Sequence, residues 1–195
     1  RFPFLTSLAA AVCLALPATA QKVQVFGGKG ERAATTAILF GQDLMAGMSI
    51  VYGQPLWKNE YDQMLDKLKG KTNRLGKDWW TTFTTSIAIE LGGTKIDAGS
   101  YVLGIHCDND GKFFLVGMDA GTAMKKNVMP FGPQNWTPDW KAPLELHKAA
   151  LETAVEKLDM ELKVDAEDAS KGGFSMSWGK HKLTAPMALH LHAGK

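Results

Sequence analysis

Short runs of alternating hydrophobic and polar residues, separated by turn residues, recur along most of this chain. In residues 158–164 (LDMELKV) apolar side chains occupy every second position, which places them on one face of a strand, and residues 174–178 (FSMSW) repeat the pattern. The sequence DNDG at 108–111 separates two further apolar runs and is typical of a hairpin turn. Many short strands with turns between them predict a mainly β fold, specifically an antiparallel β-sandwich.

Turn residues and the period of two also predict how the strands connect and which side chains are buried. Turns are expected at 41–43 (GQD), 92–93 (GG), 108–111 and 179–180 (GK). The hydrophobic face of the strands should form a core that consists of Tyr52, Phe83, Ile89, Leu91, Tyr101, Leu103, Phe114, Leu158, Met160, Leu162 and Trp178.

Two segments interrupt the alternating pattern. Tyr61, Leu65 and Leu68 have helical spacing, so one short helix is predicted at about 58–69. Residues 143–157 are rich in strong helix formers, but the alternating stretch that follows them needs a partner strand. From the residues alone, both helix and strand are open for this second segment.

The N-terminal residues have the composition of a targeting segment. Residues 5–16 form an apolar run, and ATA at 18–20 has the small-x-small pattern that signal peptidase recognises, so residues 1–20 are expected to be a signal peptide or a retained apolar segment. Residues 21–35 predict an extended arm, and residues 36–195 are long enough for a single domain with its own core. The expected location is periplasmic or extracellular, with membrane association through a partner or through the N-terminal segment.

Charge and cysteine content argue against nucleic-acid binding and against a disulfide-stabilised fold. Lys and Arg total 22, Asp and Glu total 20, and no block of like charges is present, so a partner held by phosphate neutralisation is not expected. Of the two cysteines, Cys13 lies in the targeting segment. Its removal leaves Cys107 alone, so no internal disulfide is expected in the mature chain.

The DNDG sequence at 108–111 is also similar to the start of a calcium-binding loop. A full loop continues with a further oxygen ligand and a distal glutamate. Here Lys112 and Phe113 follow instead. The segment is therefore interpreted as a turn, and no calcium site is predicted.

Histidines supply the best candidates for a metal site. His190 and His192 are two apart, so on a strand both imidazoles face one side. His106, Cys107, His181 or a carboxylate brought close by folding would have to complete the ligand set. Because no second spaced pair is present, the two histidines are interpreted as the polar face of a terminal strand. The neighbours His106 and Cys107 face opposite sides and cannot pair as base and nucleophile. We predict no catalytic residue, no metal and no cofactor, and a His-dependent metalloenzyme is the third functional hypothesis.

Four glycine- and aromatic-containing elements carry a resemblance to a known family. They are YGQP at 52–55, RLGKDWWTT at 74–82, GGTK at 92–95 and AGSY at 98–101. With gaps, the chain from about Thr36 to His190 resembles the bacterial family named domain of unknown function 2911. The resemblance implies a secreted β-sandwich, with strands near 144–147 and from 157 in place of a helix. It implies no chemistry, because the family has no established activity.

One arginine lies close to two tryptophans within this resembling region. Arg74 with Trp79 and Trp80 has the groups to hold a carboxylate or to stack on a sugar ring, although an Arg beside aromatic residues is also common packing. These residues are the candidate ligand site of the second hypothesis, a small-ligand or glycan-binding module that uses exposed tryptophans, Trp136 and Trp140 included.

Residues 121–143 form a long connection that contains three internal prolines. Connections of this length are uncommon in compact domains, and Trp136 and Trp140 argue against disorder. Aromatic side chains on loops are common interface anchors, so these two tryptophans and Phe131 are predicted to bind a partner. The first hypothesis is a non-catalytic extracytoplasmic β-sandwich that docks, as an extrinsic or scaffolding subunit, on a membrane-associated protein complex. An energy-transducing complex, photosynthetic or respiratory, is one candidate.

Overall fold

The structure, a computed structural model, describes residues 34–41, 45–130, 136–148 and 150–191. The strands are β1 (Ala34–Phe40), β2 (Ala46–Tyr52), β3 (Lys71–Arg74), β4 (Thr81–Thr85), β5 (Ile89–Leu91), β6 (Thr94–Ile96), β7 (Gly99–Cys107), β8 (Phe113–Asp119), β9 (Trp140–His147), β10 (Val155–Val164), β11 (Lys171–Gly179) and β12 (His181–Leu189). A 3-10 helix (Asn59–Leu68) precedes β3, and α1 (Ala120–Lys125) follows β8. Neither helix is long and apolar enough to cross a membrane. The predicted segment at 1–20 and most of the arm at 21–35 lie outside the described residues.

The strands form one antiparallel sheet that nearly closes into a barrel-like structure. Nine strands pair in the order β1-β2-β4-β7-β8-β9-β12-β11-β10, while β3 pairs with β7, and β5 and β6 form a small hairpin beside β12. The prediction of a mainly antiparallel β fold is confirmed. The predicted sandwich has two separate sheets, whereas here the strands pair in one continuous order. Strand β9 pairs with both β8 and β12 and so joins the two halves.

Strand β10 ends this order, and two side chains and one backbone carbonyl accept hydrogen bonds from its outer edge. The Met160 N–H donates to the Tyr52 hydroxyl oxygen at 2.9 Å, and the Leu162 N–H donates to Thr36 Oγ1 at 3.1 Å. The Leu158 N–H donates to a backbone carbonyl in the chain after β2 at 3.1 Å. Groups from β1, from β2 and from the chain after β2 thus meet alternate N–H groups of β10, which protects an edge that would otherwise be free to pair with other chains.

The predicted turns connect the strands as the sequence indicated. Three of them close hairpins: β5–β6 at 92–93, β7–β8 at 108–111 and β11–β12 at 179–180. The fourth, at 41–43, lies partly outside the described residues, but β1 and β2 pair antiparallel on either side of it. Asp108 has the role of a turn residue, since its carboxylate accepts a hydrogen bond from the Lys112 N–H at 2.8 Å.

Eight of the eleven predicted core residues are buried, and Tyr101, Phe114 and Trp178 are only partly buried. The prediction for Phe114 chose the wrong face of β8. Phe113 points into the core, whereas the Phe114 ring lies under the Lys141 ammonium, with Nζ 3.8 Å from the ring centroid. Two adjacent phenylalanines do not alternate with polar residues, so the period of two did not distinguish them.

The two interrupting segments have different structures. The 3-10 helix matches the predicted helix at 58–69 in position, but it keeps the tighter 3-10 geometry over ten residues, which is long for this type of helix. Residues 143–157 contain the end of β9 and the start of β10, as the resemblance implied, and the described residues of this segment form no helix. The connection predicted at 121–143 is shorter than expected, because α1 and the start of β9 take up its two ends.

Candidate ligand-binding site

A cavity of about 380 Å³ lies at one end of the sheet. Its walls come from the ends of β7, β9 and β11 and from the beginnings of β8, β10 and β12, which the antiparallel order brings together. The 3-10 helix contributes Tyr61, Leu65 and Leu68 to the lining. The volume falls within the roughly 300–1,000 Å³ that is usual for small-molecule sites.

Hydrocarbon makes up most of the wall. Phe113, Leu158 and Leu183 are buried, and Ile105 and Leu146 are partly buried against the same core. These side chains lie at inward positions of their strands, as the alternation of a β-strand requires. An apolar ligand in the cavity would remove this surface from water, which is worth roughly 25 cal/mol per Å².

Four aromatic rings form one corner of the cavity. Trp57 packs edge-on against Trp178 with centroids 5.1 Å apart and against Tyr61 with centroids 5.7 Å apart. The His181 ring lies 5.7 Å from Trp57. The Trp178 indole N–H donates to the Pro55 carbonyl at 3.0 Å, so the polar edge of this indole is satisfied by the backbone. These contacts join the 3-10 helix and the chain before it to β11 and β12.

Arg74 and His181 are the basic side chains among the described residues that line the cavity. Arg74 ends β3, and its Nη1 donates to the Asp78 carbonyl at 3.0 Å. His181 Nε2 lies 2.6 Å from Asp62 Oδ1, which links β12 to the 3-10 helix. The Asp62 side chain is 60% exposed and that of His181 only 16%, so the carboxylate faces solvent and the imidazole faces inward.

The cavity therefore combines a large apolar surface, a cation and an imidazole held by a carboxylate. An apolar surface with a few polar groups that set orientation is typical of a small-molecule binding site. A paired imidazole and carboxylate also occurs where a general base is oriented for catalysis. Because the apolar surface is large and the polar groups are few, the arrangement is more typical of a binding site than of a catalytic site.

The three residues predicted from sequence as a ligand site do not form one group. Arg74 lines the cavity. Trp80 lies in a small cluster on the outer face of the sheet with Met118, and its indole N–H donates to the Val128 carbonyl at 3.3 Å. Trp79 is 39% exposed and does not line the cavity.

The tryptophans of the predicted docking loop do not share a surface. Trp140 is 9% exposed, begins β9 and packs edge-on against Tyr101 in the main core, with centroids 5.6 Å apart. Trp136 packs on Trp80 in the outer cluster, with centroids 4.7 Å apart. The expectation that both rings face one partner is therefore corrected, because the alternation of β9 turns Trp140 inward. Phe131 lies outside the described residues.

The histidine pair was predicted to lie on the terminal strand, but that strand ends before His190. Strand β12 stops one residue before His190, and His192 lies outside the described residues. In the part of the chain that the structure describes, no group of three or more His, Cys, Asp or Glu is placed to hold a metal ion. Cys107 is buried, which raises the pKa of its thiol, while His106 on the other face meets Thr72 Oγ1 at 2.8 Å. The prediction that these neighbours face opposite sides is confirmed.

No pattern in the sequence indicates that Trp57, Tyr61 and Trp178 belong to one site. Tyr61 was predicted on a helix face and Trp178 in the core, and no spacing rule connects positions this far apart in the chain. A local signal is present at Gly179, which has a φ of 60° and lies under the Trp57 ring, where a Cβ atom would collide with the indole. That glycine supports both the turn and the aromatic corner.

A comparison of the chain with protein-family models, with curated proteins and with solved structures found no match in any of the three. The resemblance to domain of unknown function 2911 stays a prediction, and the function has to be inferred from the cavity.

Proposed function

We propose that the protein binds an apolar small molecule in the cavity at the end of its sheet. The observation that carries this proposal is the cavity itself, about 380 Å³ with a mostly hydrocarbon and aromatic lining. The main core leaves a void of only about 10 Å³ between its side chains. Protein interiors are close-packed, so a large apolar cavity beside a tightly packed core supports a role in binding a small molecule.

In this proposal the 3-10 helix controls access to the ligand. It contributes three side chains to the lining, and the Asp62–His181 contact and the packing of Tyr61 against Trp57 and Trp178 connect it to the rest of the site. Hydrogen bonds in 3-10 geometry are weaker than those of an α-helix, so a long 3-10 run is a suitable element to open and close.

Binding of the neutral fluorescent probe N-phenyl-1-naphthylamine tests the proposal. We expect a saturable rise in fluorescence with one site per chain. Ile105→Trp adds a large ring at a lining position and should weaken binding at least about tenfold. The control Val51→Trp adds the same ring at a 37% exposed position on β2 that does not line the cavity, and it should bind like the wild type. No saturable binding by the wild type, or equal binding by Ile105→Trp, would refute the proposal.

Docking on an extracytoplasmic, membrane-associated protein complex is the second candidate function, and one observation favours it. Met124 and Met129 are 76% and 41% exposed, and they flank the segment that packs on Trp80 and Trp136. Exposed methionines adapt well to a partner surface. Met124→Lys combined with Met129→Lys should release the protein from its complex after gentle solubilisation, and Leu39→Lys, at an 84% exposed position on β1, is the control. Retention of the double variant would argue against docking through this surface.

A further inference from the structure

The rings at the aromatic corner of the cavity keep part of their surface uncovered by the protein. Trp57, Tyr61 and Trp178 all line the cavity, and each is only partly buried. The aliphatic lining residues Leu158 and Leu183, in contrast, are buried. A ligand that fills the cavity therefore has ring surface to contact at this corner.

The packing of these three rings follows the electrostatics of aromatic groups. The plane of Trp57 makes an angle of 83° with that of Trp178 and 87° with that of Tyr61, so both pairs are edge-to-face. In such a pair the electropositive edge of one ring contacts the negative face of the other. The Tyr61 and Trp178 rings are tilted by 43°, with centroids 5.1 Å apart. A further flat ring can continue this arrangement, because it offers the same positive edge and negative faces.

A methionine sulfur belongs to the same part of the cavity wall. Met176 and Trp178 are two residues apart on β11, so their side chains lie on one face of the strand, and both line the cavity. Met176 is only partly buried. The thioether of methionine makes favourable contacts with aromatic rings, and its flexible chain adapts to irregular shapes. This side chain therefore adds a second kind of group that favours an aromatic ligand.

We propose that the ligand is an aromatic compound whose ring packs against Trp57, Tyr61 and Trp178, with the Met176 thioether beside it. This inference rests on the proposed function and adds the chemical class of the ligand to it. A saturated ligand gains affinity only from the burial of its apolar surface, whereas an aromatic ligand also gains from ring–ring contacts. That additional gain corresponds to roughly two- to twelvefold in affinity for each pair of rings.

Displacement of N-phenyl-1-naphthylamine by two alcohols with the same carbon skeleton tests the ligand class. The compounds are 4-phenylbutanol and 4-cyclohexylbutanol. The cyclohexyl compound has the larger apolar surface, so burial alone would make it the stronger ligand. We expect the phenyl compound to displace the probe at least about threefold more effectively. Equal or stronger displacement by 4-cyclohexylbutanol would overturn the aromatic class and leave the proposed function intact. Failure of the probe itself to bind would remove the proposed function.

Substitution of single rings shows whether the aromatic corner is responsible. Trp57→Leu keeps an apolar side chain but removes a ring, so it should lower the preference for 4-phenylbutanol at least about twofold. Phe114→Leu is the control and should keep the full preference, because the Phe114 ring lies under Lys141 and does not line the cavity. If Trp57→Leu does not fold, Tyr61→Leu on the 3-10 helix tests the same corner. A full preference in the folded variants of Trp57 and Tyr61 would show that these rings do not select the ligand.

Discussion

The hydroxyl group of Tyr52 closes the gap between β2 and β10, and Tyr52→Phe removes it without changing the shape of the ring. Tyr52 is 3% exposed, and its hydroxyl oxygen accepts a hydrogen bond from the Met160 N–H at 2.9 Å. The same hydroxyl lies 3.4 Å from the Met160 carbonyl and 3.4 Å from Asp159 Oδ1. In the variant, the Met160 N–H stays buried and loses this acceptor.

The expected loss follows from that unsatisfied donor. Leaving a buried N–H without its partner costs about 1–3 kcal/mol, which is more than the net value of a hydrogen bond. For a domain of this size, that loss lowers the thermal midpoint by roughly 2–12 °C. The control is Tyr101→Phe, the same chemical change at a hydroxyl that donates to the Asp97 carbonyl at 2.9 Å in an exposed position. Water can replace that hydrogen bond, so the control should lose less than about 1 kcal/mol.

Urea unfolding of the wild type and both variants, followed by circular dichroism, measures the free energy of unfolding. The reasoning is refuted if Tyr52→Phe unfolds within experimental error of the control, because the hydroxyl would then contribute nothing to the closure of the sheet. A decrease in the slope of the urea dependence would instead show that the native state has become less compact or more open.

The pH dependence of the stability difference between the wild type and Tyr52→Phe gives an independent check. Burial raises the pKa of Tyr52 above its ordinary value of 10.0. The native state therefore holds the phenol proton more tightly than the unfolded chain, so this contribution is present below about pH 10 and is lost as the pH rises through the native pKa. The stability difference between the wild type and Tyr52→Phe should shrink above about pH 10. A difference that stays constant there would contradict the raised pKa.

Three further predictions concern the placement of side chains. Trp140→Ala should lower the free energy of unfolding by about 3–5 kcal/mol, since its ring lies in the main core, and a stable variant that merely loses a partner would contradict this placement. In urea unfolding, Phe113→Ala should lose about 3–5 kcal/mol and Phe114→Ala less than about 1 kcal/mol, and the reverse order would show that β8 is inverted. Asp62→Ala should change stability by less than about 1 kcal/mol but speed hydrogen exchange in the 3-10 helix, whereas the control Asp66→Ala should leave that exchange unchanged. Equal exchange rates in the two variants would mean that Asp62 does not hold the helix.

Local patterns in the sequence were sufficient to predict several elements of this fold. The alternation in 158–164 predicted β10, and the glycine-containing turns at 92–93, 108–111 and 179–180 predicted three of its hairpins. These features depend on residues within about ten positions of one another, where backbone geometry and side-chain alternation act directly. The burial of eight predicted core residues follows from the same alternation.

Only the tertiary structure decided which face each side chain meets and where the ligand site lies. Trp140 was predicted on an open loop and lies in the core, and Arg74 was paired with its neighbours in sequence but lines a cavity with Trp57 and Trp178. The closure between β1 and β10 brings Thr36 to Leu162, a contact that no local pattern indicates. The physical reason is that a period of two shows that side chains alternate between two faces, whereas the curvature and near-closure of the sheet determine which face is enclosed and which distant residues it encloses together.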